Sequence, residues 1–292
     1  MNVVVTGTGG RLGAAVARHL RQRHRVVAYD RRAMDLSVPA QMEDHLQGLD
    51  FEVLINCAAA TSPDYCERHP DEALAVNAHG PGLMASLCRQ RGARMIHVST
   101  DYVYEGSVPG LHAEDAPIAP LGVYARTKRE GEERVLAESA AHLVARTSWV
   151  FGPDRPGFVD QIIDRAMKDP ECSAVGDKFS SASYSLEMAE QLERLLANPS
   201  ATGALNLCND GICSWHTLGQ AALDIVAGLG WKLRCRILQE ARLADMSQFI
   251  AQRPVNTALD ISRLAEASGK RPRPWREALQ DYLTTYYGEP GK

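Results

Sequence analysis

The sequence predicts an α/β protein: a doubly wound parallel sheet with a smaller α/β lobe attached. Three observations carry that reading. Short β-branched runs alternate with helical patterns through the first half of the chain, the mark of βαβ units. A glycine-rich turn separates the first run from the first helical pattern. Beyond Gly152 the regularity loosens, and Pro153, Pro156 and Gly157 crowd a loop that reads as an exit from the first unit.

The elements follow in order. Strands are expected at 3–6, 25–29, 53–56, 94–98 and 142–147, each a compact apolar run as a sheet buried on both faces requires. Between them, apolar residues at helical spacing predict helices over 12–21 and 70–91, the second stopped by Gly92. A helix over 186–196 and a strand over 204–208 return to the sheet, and a last helix covers 275–286. The expected division is a dinucleotide-binding domain of 1–151 plus about 179–211, and a substrate lobe of about 152–178 plus 212–292. A cleft between the two is the default ligand site.

Composition removes several function classes. A chain of 292 residues with a formal net charge of -4 has no overall positive field for nucleic acid or an anionic membrane. Met1-Asn2 leads straight into valines without the basic and apolar regions of a secretory signal, and no apolar run reaches membrane-spanning length. Seven cysteines, an odd number with no Cys-x-x-Cys pair, suit reduced thiols in a cytoplasmic enzyme. Nine histidines show no metal-ligand spacing. Only six lysines stand against 26 arginines, so a lysine inside a motif is informative.

Gly7, Gly10 and Gly13 recur at intervals of three directly after a strand and at the opening of a helix. Such glycines allow a tight turn, close approach of backbone to a pyrophosphate, and tight packing of helix on strand, which makes the expected sheet Rossmann-like. The plainer alternative is a glycine turn that binds nothing. Asp30 ends the second strand, where an acidic side chain accepts hydrogen bonds from an adenosine ribose. Arg31 and Arg32 follow it, and their guanidinium groups suit a ribose 2′-phosphate. The arginines favour NADP(H), with NAD(H) tolerated; the plain alternative is a solvated charge cluster in a turn.

Tyr124 and Lys128 stand four apart, on one face of a helix. A cation near a phenol favours phenolate and lowers its pKa, which suits a general acid serving a carbonyl that accepts hydride. Chance alone gives about 0.2 such Tyr-x-x-x-Lys pairs in a chain of this composition, so the pair gains force from its place after the glycine turn. It also follows the strand that ends Ser99-Thr100-Asp101, whose hydroxyl can bond the same substrate oxygen.

On these residues the sequence resembles the extended short-chain dehydrogenase/reductase superfamily, and within it the dTDP-4-dehydrorhamnose reductases. The matching segments are Thr6-Gly7 to Gly13, Val53 to Thr61, Val76-Asn77-Ala78, Val98 to Tyr104, Val123 to Lys128, Arg146 to Gly152, and Arg253-Pro254-Val255-Asn256. The resemblance is dense up to Gly152 and patchy beyond. It implies an NAD(P)H-dependent reductase of a 4-keto (nucleotide-)sugar, with Thr100, Tyr124 and Lys128 as the catalytic set. Gly7, Gly10, Arg11, Leu12, Gly13, Asp30, Asp35, Leu36, Ala58, Ala59 and Thr61 match cofactor contacts, joined by Tyr124 and Lys128. Asp101, Tyr102, Trp149 and Arg253 fall at the sugar end, although an aromatic after a strand is as well explained by packing.

Departures bear on the substrate. The family usually has Val-Asp-Lys-Ala-Glu where this chain has Pro63-Asp64-Tyr65-Cys66-Glu67, and Asp-Gln-x-Gly-x-Pro-Thr where it has Asp177 to Ser183. Some relatives bridge a dimer through metal held by an acidic side chain; Ala15 stands at that position, so no metal is expected, although a homodimer stays open. A dehydratase of the superfamily carries Thr-Asp-Glu after the fourth strand, whereas residue 102 here is Tyr. Two alternatives stay open. One is a sugar epimerase; the other is a non-catalytic dinucleotide-binding subunit like the methionine adenosyltransferase beta subunit.

Overall fold

A computed structural model describes residues 1–288 and 290; residues 289, 291 and 292 of the expected substrate lobe lie outside the described residues. In chain order the first elements are β1 (Asn2–Thr6), α1 (Arg11–Leu20), β2 (Arg25–Tyr29), α2 (Pro39–Gln47), β3 (Val53–Asn56) and α3 (Pro63–Arg68). They continue with α4 (Pro70–Leu74), α5 (Gly80–Gln90), β4 (Arg94–Thr100), α6 (Gly122–Glu138), β5 (Leu143–Thr147), β6 (Val150–Phe151) and α7 (Phe158–Lys168). Then come β7 (Ser173–Val175), β8 (Phe179–Ser180), β9 (Ser183–Tyr184), α8 (Ser185–Leu196), β10 (Gly203–Asn206) and β11 (Cys213–Ser214). The chain closes with α9 (Trp215–Gly228), β12 (Gln239–Ala241), α10 (Ser262–Ser268) and α11 (Trp275–Tyr286).

Six parallel strands form the main sheet in the order β10-β5-β4-β3-β1-β2, so the chain reverses its direction of winding between β1 and β3. At such a switch point the loops leaving the strand ends diverge and open a crevice for a ligand. Alternation along each strand divides the core. Val3, Val5, Ile55, Ile96 and Ala145 face α1 and α8, while Val4, Leu54, Met95 and Val144 face the opposite layer with Met42, Met84 and Val135. The expected α/β class and parallel sheet are the ones observed. A third apolar cluster, away from the sheet, gathers Ile162 and Ile163 of α7, Leu218 and Ala222 of α9, and Leu279 and Leu283 of α11.

The helix expected over 70–91 is interrupted. Between α4 and α5 the segment Ala75–His79 widens into a π-helical turn. Asn77 explains the widening. Its side chain accepts from the Ala60 amide at 2.9 Å, and its Nδ2 donates to the Ala60 carbonyl and to Thr127 Oγ1. The main-chain oxygen of Asn77 presses against α6 at Gly131, where any Cβ would collide with it. A π turn at this point ties the loop after β3 to α6.

Candidate active site

Two adjoining cavities lie along the carboxyl ends of the strands. The larger, of about 540 Å³, is lined by Gly10, Arg11, Leu12 and Gly13 on one side and by Thr100, Asp101, Tyr102, Tyr124, Lys128, Ser148 and Trp149 on the other. The second, of about 450 Å³, is lined by Gly7, Arg31, Asp35, Leu36, Ala58 and Glu72. Gly10, Cys57, Ala59, Thr61 and Arg155 border both, so the two form one groove that narrows above the start of α1.

The glycine turn is built for close approach. Gly7 has φ +74°, and a Cβ there would meet the backbone of Ala58; a Cβ on Gly13 would meet the Gly7 carbonyl. The first turn of α1 carries no side-chain cap and no acidic residue, which leaves its amide donors open to an anion. Arg11 spans the groove instead of facing into it, with Nε donating to the Arg155 carbonyl at 2.8 Å and a terminal nitrogen to Val150 O at 2.6 Å. These residues fit a dinucleotide.

At the adenosine end the expected residues part company. The Asp30 carboxylate accepts from the amides of Arg32 and Ala33, both at 2.9 Å, and neither Asp30 nor Arg32 is on the cavity wall. Arg31 is on that wall, exposed, and reaches Glu72 at 3.0 Å and Asp35 at 3.4 Å. Exposed pairs of this kind are weak and easily exchanged for a phosphate.

The wall of Thr100, Tyr124 and Lys128 is held by its surroundings. Thr100, buried at the end of β4, accepts from the Tyr102 amide and donates to Asp101 Oδ1 at 3.1 Å. Asp101 in turn accepts from Ser180 at 2.8 Å and Thr257 at 2.5 Å, which fastens the wall to β8 and to the loop before α10. Tyr124 sits in the first turn of α6, whose start is capped by the Glu67 carboxylate accepting from Val123 N at 2.6 Å. One turn on, Lys128 is buried, its Nζ donating to Val98 O at 2.7 Å and lying 3.1 Å from His97 Nε2. Burial lowers its pKa to about 8.

The phenol differs from expectation. Burial pushes the Tyr124 pKa up, Thr100 works against that shift, and Lys128 has no part in it. The reason is geometric, because the lysine is turned toward His97 and Val98. The Tyr124 phenol is therefore raised above an ordinary tyrosine where a lowered one was expected.

At the sugar end, Tyr102 meets Tyr124 edge-on with ring centroids 5.8 Å apart. Trp149 has φ +40°, a conformation that costs an L-residue about 1–3 kcal/mol and concentrates at ligand sites. Among the described residues its indole Nε1 is buried without a partner, as is Ser99 Oγ, and both residues line the larger cavity. Arg253 is off the wall: it grips Asp64 through two bonds, the shorter 2.7 Å, and stacks 3.7 Å above Phe249.

Sequence reasoning passed over three residues here. His97 and Asn56 lie behind Lys128, and Lys178 lies behind Tyr102 and Trp149. The scarcity of lysine was the one signal that pointed to Lys178.

The profile of the RmlD substrate binding domain matches residues 1–287. A spore coat polysaccharide biosynthesis protein, SpsK of Bacillus subtilis, is 31% identical over 96% of this chain and 96% of its own length. The dTDP-4-dehydrorhamnose reductase of Mycobacterium tuberculosis is 35% identical over 96% of this chain and 92% of its own. A solved dTDP-4-dehydrorhamnose reductase of Bacillus anthracis, in complex with NADP, superposes with a TM-score of 0.89 at 24% identity over 98% of this chain and 99% of that one. The chain belongs to the RmlD substrate-binding domain family, within the extended short-chain dehydrogenase/reductases.

Proposed function

We propose that the protein is an NAD(P)H-dependent oxidoreductase that reduces the 4-keto group of a nucleotide sugar. The observation that carries the reading is the shared wall of Thr100, Tyr124 and Lys128, which faces an uncapped helix start across one groove. The bound nicotinamide supplies hydride. The Tyr124 phenol, half-buried on the groove wall, donates the proton to the carbonyl oxygen, and the Thr100 hydroxyl turns from Asp101 to bond that oxygen. Lys128 holds the nicotinamide ribose. Gly7, Gly10, Leu12 and Gly13 cradle the diphosphate, with Ala58, Ala59 and Thr61 opposite. NADP(H) is the preferred form: Arg31 is an exposed guanidinium on the cavity wall, held only by surface pairs with Asp35 and Glu72, and is the cation available to a ribose 2′-phosphate.

Trp149 and Tyr102 form the sugar face, with the free indole N–H of Trp149 as a donor to a sugar hydroxyl. Arg253 shapes that face from behind through Asp64. The lobe of α7, α9 and α11 closes the sugar end. Complete retention of the catalytic set favours chemistry over a purely regulatory role.

The test follows NAD(P)H absorbance with 4-keto sugars carried on dTDP, UDP or GDP, and with the free sugars. Oxidation with at least one is expected, and Tyr124→Phe should lower kcat by about 10²-fold or more with cofactor affinity nearly intact. Cofactor binding without turnover on any sugar would favour the regulatory reading.

A further inference from the structure

The polarity of a buried hydrogen-bond chain behind Lys128 can be read from its fixed end. Asn56 is fully buried, and its Oδ1 accepts from the Ala58 amide at 3.0 Å and from Thr6 Oγ1 at 2.6 Å. A backbone amide can only donate, so the other amide atom, Nδ2, is the one that faces His97 Nδ1 at 3.0 Å. Nδ1 therefore accepts. A neutral imidazole that accepts at Nδ1 carries its proton on Nε2, and Nε2 lies 3.1 Å from Lys128 Nζ. An ammonium has no lone pair with which to receive that N–H; an amine has one.

We propose that His97 is a positioning residue that holds Lys128 as the neutral amine in the cofactor-free protein, through an Nε2–H donated to Nζ and a tautomer fixed by Asn56. Nζ then accepts from His97 and donates to Val98 O, so both of its hydrogen bonds are satisfied in one geometry. Two titratable groups near Nζ, Glu132 and Cys57, favour the ammonium, and burial outweighs them. Cys57, from the loop after β3, stays a thiol because burial pushes its pKa up to about 12. Glu132, one turn further along α6, is held by Arg146 of β5 at 2.8 and 3.0 Å and by Arg129 at 3.0 Å. Tyr124, one turn before, is a neutral phenol. Burial lowers His97 far below the usual imidazole range, which matches an uncharged ring.

The catalytic meaning of this arrangement rests on the reductase reading. Lys128 takes up its proton only by leaving His97, so charge appears beside Tyr124 when ribose hydroxyls, which can accept, replace the imidazole N–H. The hydrogen-bond chain itself is tested without cofactor or substrate, so it stands or falls apart from the enzymatic assignment.

The experiment uses the full chain with 13C,15N-labelled lysine and 15N-labelled histidine. With six lysines in the chain, the Lys128 signal is identified by its loss in Lys128→Met. In the wild type, His97 should show the Nε2–H tautomer, and Lys128 should titrate at least one pH unit below an exposed lysine. Asn56→Asp keeps the shape of the side chain, and its second carboxylate oxygen can only accept, which favours the ring with its proton on Nδ1 donating to it. The tautomer should then reverse, and the Lys128 midpoint should rise by a unit or more. A His97 ring protonated at Nδ1 in the wild type overturns the proposal, as does a Lys128 that titrates like an exposed lysine. A rise in Asn56→Asp without tautomer reversal also overturns it, because charge alone would then be acting.

Discussion

Lys128 and Lys178 are both buried, both give one hydrogen bond to a backbone carbonyl, and burial lowers both to about 8. Their second neighbours differ. Lys128 faces an imidazole N–H, whereas Lys178 stands 4.7 Å above the Tyr102 ring and 5.8 Å from that of Trp149, with Asp101 drawing it toward the charged form. Aromatic faces and a carboxylate favour a cation; a hydrogen-bond donor favours an amine. Similar burial thus surrounds the two lysines differently, with an imidazole beside one and two aromatic faces beside the other.

The largest expected effect that separates them is on turnover. Lys128→Met should lower kcat by about 10³-fold in the NAD(P)H assay. A loss confined to KM would erase the distinction between the two lysines. Next comes the carboxylate beside Lys128. Arg146→Met leaves the buried Glu132 without its bidentate partner and should destabilise the fold by about 3–5 kcal/mol, read by urea unfolding.

Lys178→Met removes a buried charge while keeping an unbranched side chain. Thermal stability should hold or rise, because an apolar residue replaces a desolvated ion, while KM for the sugar rises about tenfold at a nearly constant kcat. A kcat loss as large as that of Lys128→Met would show that the sugar-end lysine takes part in proton exchange. The smallest effect concerns Asp64, which Arg253 holds down to about 2 against an unfolded 3.8. A lowered carboxylate stabilises the fold above its unfolded pKa and loses that contribution as pH falls through the folded value. Unfolding midpoints should therefore decline between about pH 4 and 2, and Asp64→Asn should flatten that segment.

What the sequence disclosed follows from the range of each interaction. Gly7, Gly10 and Gly13 act on a turn of their own, and Tyr124 and Lys128 are neighbours on one helix, so local spacing, with their order along the chain, makes them legible. The strands were legible because Val3, Val4 and Val5 already encode two buried faces. His97 was invisible because its meaning depends on Asn56, 41 residues away, and on which atom of that amide faces it. The pairing of Arg253 with Asp64, 189 residues earlier, and the bonds of Asp30 to its own turn leave no periodic trace in the sequence. The interruption at 75–79 had one local sign, an asparagine in a helical stretch shortly before Gly80-Pro81.

That interruption has a mechanical consequence. Asn77 grips the 58–61 edge of the groove with its side chain and bears on Gly131 of the helix that carries Tyr124 with its main-chain oxygen. One residue thus braces the edge of the groove against the helix that carries Tyr124, and the separation between the two is set through it. Reaction rate depends on that separation at the scale of about 1 Å, and hardly on where the pair sits relative to the rest of the molecule.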